Sequence, residues 1–255
     1  MPIDKPFSPL PQTTEAPLPQ VIEVPLLSVI VPVGPAELEL PRLLADLLLL
    51  PASCEIILVS CPESVDLCQQ LSLPSTLRKP DRLRRVEAEQ GRAKQLNAGA
   101  VAAKGQFVWF VHADSQLTPW VVTTLLRALS TRPRALHCFA LHFADDGQGW
   151  TAINAGGANL RTRWLKVPFG DQAFCLSKAL FQQLGGYDEQ ADYGEDHLLV
   201  WQAHRQGVSL DCHRAVITSS ARKYRQHGWA LLTLRYQGLW LKQALPQLWA
   251  LLTGK

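Results

Sequence analysis

Residues 106–115 read Gln-Phe-Val-Trp-Phe-Val-His-Ala-Asp-Ser. A run as apolar as residues 106–111 suits a strand covered on both faces, the habit of parallel sheets. The run gives way at once to His112-Ala113-Asp114-Ser115, so a polar cluster sits at the strand's mouth. Upstream, Gly91 opens a predicted helix over 92–103, closed by Lys104-Gly105, a good C-terminal stop. Before it come a strand over 82–88, a short helix near 63–71, a strand over 55–60 (EIILVS), a helix over 42–50 after the turn marked by Pro35 and Pro41, and an apolar strand over 26–33 (LLSVIVPV). Downstream, Pro119 starts a helix reaching 129, with Pro in its first turn. Strands are expected over 135–143, just after Pro168–Gln172, and over 210–217, with helices near 179–184 and 195–206. A long apolar helix closes the chain, and Pro246 is expected to bend or end it. Strands alternating with helices across short connections predict one α/β domain: a mostly parallel central sheet with helices on both faces. In such sheets ligands bind outside the carboxyl ends of the strands, so chemistry belongs just after each strand.

The chain's 255 residues are 47% apolar and 18% charged, a globular composition. A net charge of +3 gives no argument for nucleic acid. No Asp or Glu follows Asp211, whereas Arg214, Arg222, Lys223, Arg225, Arg235, Lys242 and Lys255 do. That basic block suits a phosphate-bearing ligand or an anionic membrane surface. Six cysteines form no C-x-x-C pair and read as free thiols of a reducing compartment. The N-terminus lacks a signal pattern and no apolar run is long enough to span a bilayer, so a cytoplasmic location is expected. Residues 1–25 hold Pro2, Pro6, Pro9, Pro11, Pro17, Pro19 and Pro25 and read as a flexible tail.

Several clusters can carry chemistry. Asp114, at the end of a buried strand, can hold Mg²⁺ or Mn²⁺ against a diphosphate, or it caps the next helix in competition with Ser115 and Thr118. In GRAKQLNAGA (91–100), Arg92, Lys94 and Asn97 lie near a helix N-terminus that attracts anions, while Ala93, Ala98, Gly99 and Ala100 equally suit a close-packed helix. Gly194-Glu195-Asp196-His197 places paired carboxylates at a helix start, where a catalytic base or mere end-charge preference would put them. Arg222 and Arg225 form a cationic patch able to close over a diphosphate, or a solvated turn. The first strand runs into Pro32-Val-Gly34-Pro35 with no G-x-G-x-x-G, which counts against a dinucleotide-binding oxidoreductase. A Walker A loop, a G-x-S-x-G elbow and a spaced His/Cys zinc set are likewise absent from the sequence.

The order of these segments is more specific than any one of them. SVIVPV (28–33), EIILVS (55–60), GRAKQLNAGA (91–100), FVHADS (110–115), GDQ (170–172), GGYDE (185–189) and GEDHLLVWQAHRQG (194–207) together resemble a family 2 glycosyltransferase of the GT-A fold. The wording is most similar to the radical-SAM/selenodomain-associated transferase 2 subgroup. The resemblance covers roughly residues 26–229 and implies a catalytic domain over 26–228, followed by an apolar, basic helical segment over 229–255. It implies an inverting, metal-dependent transfer of sugar from a nucleotide-sugar donor to an acceptor hydroxyl. Asp114 would match the metal-binding carboxylate of the family's D-x-D motif, whose first position is His112 here, and Asp196 the general base, with Glu195 beside it. Val31, Pro32, Lys94 and Asn97 would line the nucleotide pocket, and Gly170, Asp171 and Gln172 the acceptor side. The second strand usually ends in a base-contacting Asp, but Ser60-Cys61 stands there in this chain. That departure motivates an alternative, a non-catalytic nucleotide-sugar or glycan-binding relative. Trp229, Trp240, Trp249 and many leucines in the C-terminal segment offer a peripheral contact with the inner face of a membrane beside a lipid-linked acceptor, or a helix packed on the domain.

Overall fold

The central strands carry so few polar side chains that both faces of their sheet must be covered. The computed structural model describes residues 26–35, 37–79, 82–144 and 150–253, so the proline-rich segment 1–25 and Lys255 lie outside it. In chain order the elements are β1 (Leu27–Val33), α1 (Leu40–Asp46), β2 (Glu55–Ser60), α2 (Val65–Gln70), β3 (Leu83–Glu87), α3 (Arg92–Ala102), β4 (Phe107–Phe110), α4 (Pro119–Thr131), β5 (Leu136–Phe143), α5 (Thr151–Leu165), β6 (Cys175–Ser177), α6 (Lys178–Gln183), α7 (Glu195–Arg205), β7 (Leu210–Ser219), α8 (Arg222–His227) and α9 (Trp229–Thr253).

The strands form one sheet in the order β3-β2-β1-β4-β6-β5-β7. The pairs β1–β2, β2–β3, β1–β4 and β5–β7 are parallel, while β6 runs antiparallel to β4 and to β5. This is the expected mostly parallel α/β sheet, with helices on both faces.

Alternation along β1 divides the core. Val29 and Val31 pack with Leu43 and Leu44 of α1 and Val121 and Leu125 of α4. Ile30 faces the other way, onto Ala93, Leu96 and Ala100 of α3 and Leu199 and Val200 of α7. Gly99 lets α3 approach: a Cβ there would stand 2.4 Å from Ile30 Cγ2 and 3.0 Å from Val59 Cγ2. The small-residue face of GRAKQLNAGA is therefore a packing face, whatever its first turn does.

Four local features differ from the sequence expectation, one of them the short helix α8 over Arg222–His227, where the sequence suggested a turn or patch. Helix α5 is additional; Gly156-Gly157 lowers its propensity, and only Ala155, Ala158 and Thr162 are buried, so no apolar stripe announced it. The first helix ends at Asp46 in a 3₁₀ turn, Leu47–Leu49. Helix α9 runs on through Pro246. Pro246 is exposed, as is Lys242 one turn before it, so water can satisfy the carbonyl that proline leaves unpaired.

Candidate active site

At the carboxyl ends of β1, β4, β5 and β7 lies a cavity of about 330 Å³, within the size range of small-molecule sites. Pro32, Gly34 and Glu37 reach it from the end of β1, Arg92 and Gln95 from α3, and His112, Ala113 and Asp114 from the end of β4. Asp171 and Phe169 come from the segment before β6, and Tyr193 and Asp196 from the start of α7. Arg222 and Lys223 of α8 close one side, and Asn154 and Arg161 of α5 with Tyr236 and Gln237 of α9 another. Asp114 and Asp196 thus face one space, although separate βα units carry them.

Charge pairing organises the floor. His112 Nδ1 lies 3.3 Å from Asp171 Oδ1. Burial pushes the Asp171 carboxyl up, but the hydrogen bond and charge of His112, with Arg92 and Lys223, hold it well below the usual carboxylate range. Arg92 Nε donates to the Glu195 carboxylate. Burial pulls the Arg92 guanidinium down, yet Asp196, Glu195 and Asp171 together raise it above its ordinary value. Asp196 is almost buried at 6% exposure. Its Oδ1 accepts from His197 N at 2.8 Å and its Oδ2 from Gly170 N. Gly170 must be small, because a Cβ would sit 2.8 Å from Asp196 Oδ2.

Glu37, which sequence reasoning missed, stands where β1 turns away. Burial first, then the charge of Asp114, raises its carboxyl above the usual value, while Arg222 Nη2, 3.6 Å away, acts in the opposite sense. Glu37 and Asp114, both half-shielded on the cavity wall, offer the oxygen donors a hard divalent cation takes. Gln95, also missed, donates from Nε2 to Val33 O (3.0 Å) and Val59 O (2.7 Å), tying the ends of β1 and β2 together beside the cavity.

Arg161 comes from the unforeseen helix α5. Its guanidinium stacks over Phe169 at 3.7 Å from the ring centre, and burial pulls its pKa down to about 10. Its Nη2 is buried with no hydrogen-bond partner among the described residues. Beside it a second, open hollow of about 600 Å³ is lined by Gly157, Leu160, Trp164, Leu165 and Trp240 and shares Arg161 and Gln237 with the cavity.

Other residues singled out in the sequence lie off the cavity wall. Val31 is fully buried in the core. Ser60 is buried and donates to Val86 O at 3.4 Å. Lys94 pairs with Glu89 at the surface. Asn97 clamps the GGYDE turn, accepting from Tyr187 N (3.0 Å) and donating to Tyr187 O (2.9 Å) and Glu189 (2.7 Å). Gln172 is fully buried, accepting from Thr162 and Phe169 N and donating to Phe139 O. Arg225, expected beside Arg222, is exposed and off the wall, and Lys223 lines the cavity there instead.

The glycosyl transferase family 2 model matches residues 28–185. Among solved structures, S. aureus TarS superposes with a TM-score of 0.61 at 18% identity, over 76% of this chain and 60% of that one. The same protein in complex with UDP-GlcNAc gives 0.60 at 18%, over 76% and 58%. The mannosyltransferase PcManGT from Pyrobaculum calidifontis, in complex with GDP-Man and Mn²⁺, gives 0.60 at 20%, over 80% and 59%. This chain therefore spans about 60% of the length of those it resembles. No curated protein matches the sequence. At these identities the superpositions show a shared GT-A fold, and the family match over residues 28–185, more than half of the chain, establishes that it belongs to glycosyl transferase family 2.

Proposed function

We propose that this protein transfers a sugar from a nucleotide-sugar donor to an acceptor hydroxyl, in one inverting displacement assisted by Mn²⁺ or Mg²⁺. One observation carries the reading: Asp114 and Asp196 line a single cavity, with Arg92, Arg222 and Lys223 around it. Asp114, with Glu37 beside it, would hold the cation, which when bound offsets charge on the leaving diphosphate. Arg222 and Lys223 provide further positive charge there. Asp196, held by the Gly170 and His197 amides, accepts the proton of the attacking hydroxyl. Arg92 keeps Glu195 paired and so leaves Asp196 as the member of that carboxylate pair facing the cavity. The likeness to chains solved with UDP-GlcNAc and with GDP-Man and Mn²⁺ supports a nucleotide-sugar donor. The GRAKQLNAGA, HAD and GDQ segments support the radical-SAM/selenodomain-associated transferase 2 subgroup.

The unpartnered Arg161 Nη2 and the apolar hollow next to it support an amphipathic, anionic acceptor, as a lipid-linked one would be. Leu231, Leu234, Leu245 and Trp249 on the exposed side of α9 support a peripheral contact with the inner face of the membrane from the cytoplasm. No helix of the described residues is long and apolar enough to cross one. Flotation with anionic liposomes checks this part: protein that stays in the soluble fraction contradicts it.

Burial of Ser60 away from the cavity favours a second reading, a non-catalytic nucleotide-sugar or glycan-binding relative. Hydrolysis of UDP- and GDP-sugars with Mn²⁺ separates the two. Turnover that disappears in Asp114→Ala supports the enzyme; donor binding without turnover on any acceptor supports the binding protein.

A further inference from the structure

Parallel pairing of β5 and β7 sets His137 opposite Asp211 and Phe139 opposite His213. Side chains two apart on a strand share a face, so His137, Asp211 and His213 project together. His137 Nδ1 lies 3.2 Å from His213 Nε2 and 3.7 Å from Asp211 Oδ2, and the latter two atoms are 4.0 Å apart. Tetrahedral zinc with nitrogen and oxygen ligands separates its donors by about 3.3 Å. One separation already matches, and the other two need to close by roughly 0.4 and 0.7 Å to form one face of that polyhedron.

Other features point the same way. His137 Nε2 lies 3.1 Å from the Arg132 carbonyl, which can only accept, so that nitrogen carries the proton and Nδ1 turns its lone pair on the cluster. A ligating histidine held through its second nitrogen by a backbone carbonyl is the usual support of a metal site. Arg132 caps the C-terminal end of α4, where the helix dipole favours a cation. His137 is fully buried, whereas the His213 and Asp211 side chains keep 12% and 22% exposure, leaving an approach for the ion and a water as fourth ligand. Arg132 Nη1, 3.7 Å from Asp211 Oδ1, takes the carboxylate oxygen turned away from the cluster.

We propose that His137 Nδ1, His213 Nε2 and Asp211 bind a divalent transition-metal ion, with Zn²⁺ the best match to two imidazoles and a carboxylate. The cluster sits where β5 and β7 begin, whereas Phe143 and Ser219, which line the cavity, end them. Six residues of strand put about 20 Å between the two places. The ion is therefore distinct from any cation held by Asp114. It pins the edge strand β7 to β5.

Zn²⁺ binding to the metal-stripped full chain, read by calorimetry and by the visible spectrum of the Co²⁺ form, tests the site. Wild type and Asp114→Asn should each bind one Zn²⁺ with the same affinity and melt at a higher temperature in its presence. His213→Gln should bind at least about tenfold more weakly, lose the tetrahedral Co²⁺ absorption and gain no thermal stability from Zn²⁺, while its metal-free far-ultraviolet spectrum matches wild type. Asp211→Asn, on a more exposed side chain, gives the same comparison if His213→Gln does not fold. Failure of wild type to bind Zn²⁺, loss of binding in Asp114→Asn, or undiminished affinity in the β7 variants overturns the proposal.

Discussion

His112 Nδ1 lies 3.3 Å from Asp171 Oδ1, joining the residue in the first D-x-D position to the segment before β6. The pair bears on acid stability. Asp171 titrates lower in the fold than in the unfolded chain, where a carboxyl titrates near 4. Its stabilisation is thus complete above about pH 4 and lost as pH falls below that toward the depressed folded value. Asp171→Asn should melt below wild type at pH 6, and the gap should narrow under pH 4. A gap that stays constant through the acid range would show that Asp171 gives no pH-linked stability.

Gly170→Ala is expected to damage turnover while sparing donor binding. The new Cβ would lie 2.8 Å from Asp196 Oδ2, so the carboxylate must swing from the amide that orients it. Displacement of a catalytic group by about 1 Å can cost about 100-fold in rate. Transfer kinetics should therefore show kcat reduced about 10- to 100-fold, with the affinity for nucleoside diphosphate unchanged.

Helix α9 should loosen in mild acid. His197 is fully buried, and its Nε2 accepts from the indole N–H groups of Trp201 and Trp240, both at 3.1 Å, while Nδ1 donates to Gln243 at 2.8 Å. Burial lowers its pKa, and two donors aimed at Nε2 leave no room for a second proton. Unfolded histidine titrates near 6.5. The contribution is present above that value and lost as pH falls through the lower folded one. Melting from pH 7.5 to 5 should show a fall in wild type that flattens in His197→Gln. His197→Ala should cost about 1–3 kcal/mol for each indole donor left unpaired.

The β-branched runs at β1 and β2 and the Gly91 helix start were legible because local pattern and burial coincide there. Asp114 and Asp196 were legible as candidates, but their meeting in one cavity depends on topology, which no spacing encodes. Glu37 lies in a turn with no periodicity. Arg161 rides on a helix whose Gly156-Gly157 and half-exposed surface hide its period. Within GRAKQLNAGA the helix N-terminus was visible, but the rotation was not: Arg92 and Gln95, one turn apart, face the cavity, while Lys94 and Asn97 turn to Glu89 and the Tyr187 loop. The His137–Asp211–His213 cluster was invisible for a related reason, since strand register brings together ligands far apart in the chain.

The most direct test compares Asp114→Asn with Asp196→Asn in Mn²⁺-dependent binding of UDP and GDP, followed by turnover of the corresponding sugar donors. Asp114→Asn should lose the metal-dependent part of nucleotide binding. Asp196→Asn should bind as wild type does and lose about 10²- to 10⁴-fold in kcat. Equal loss of nucleotide binding in both variants, or turnover untouched by Asp196→Asn, would contradict the division of labour between these two carboxylates.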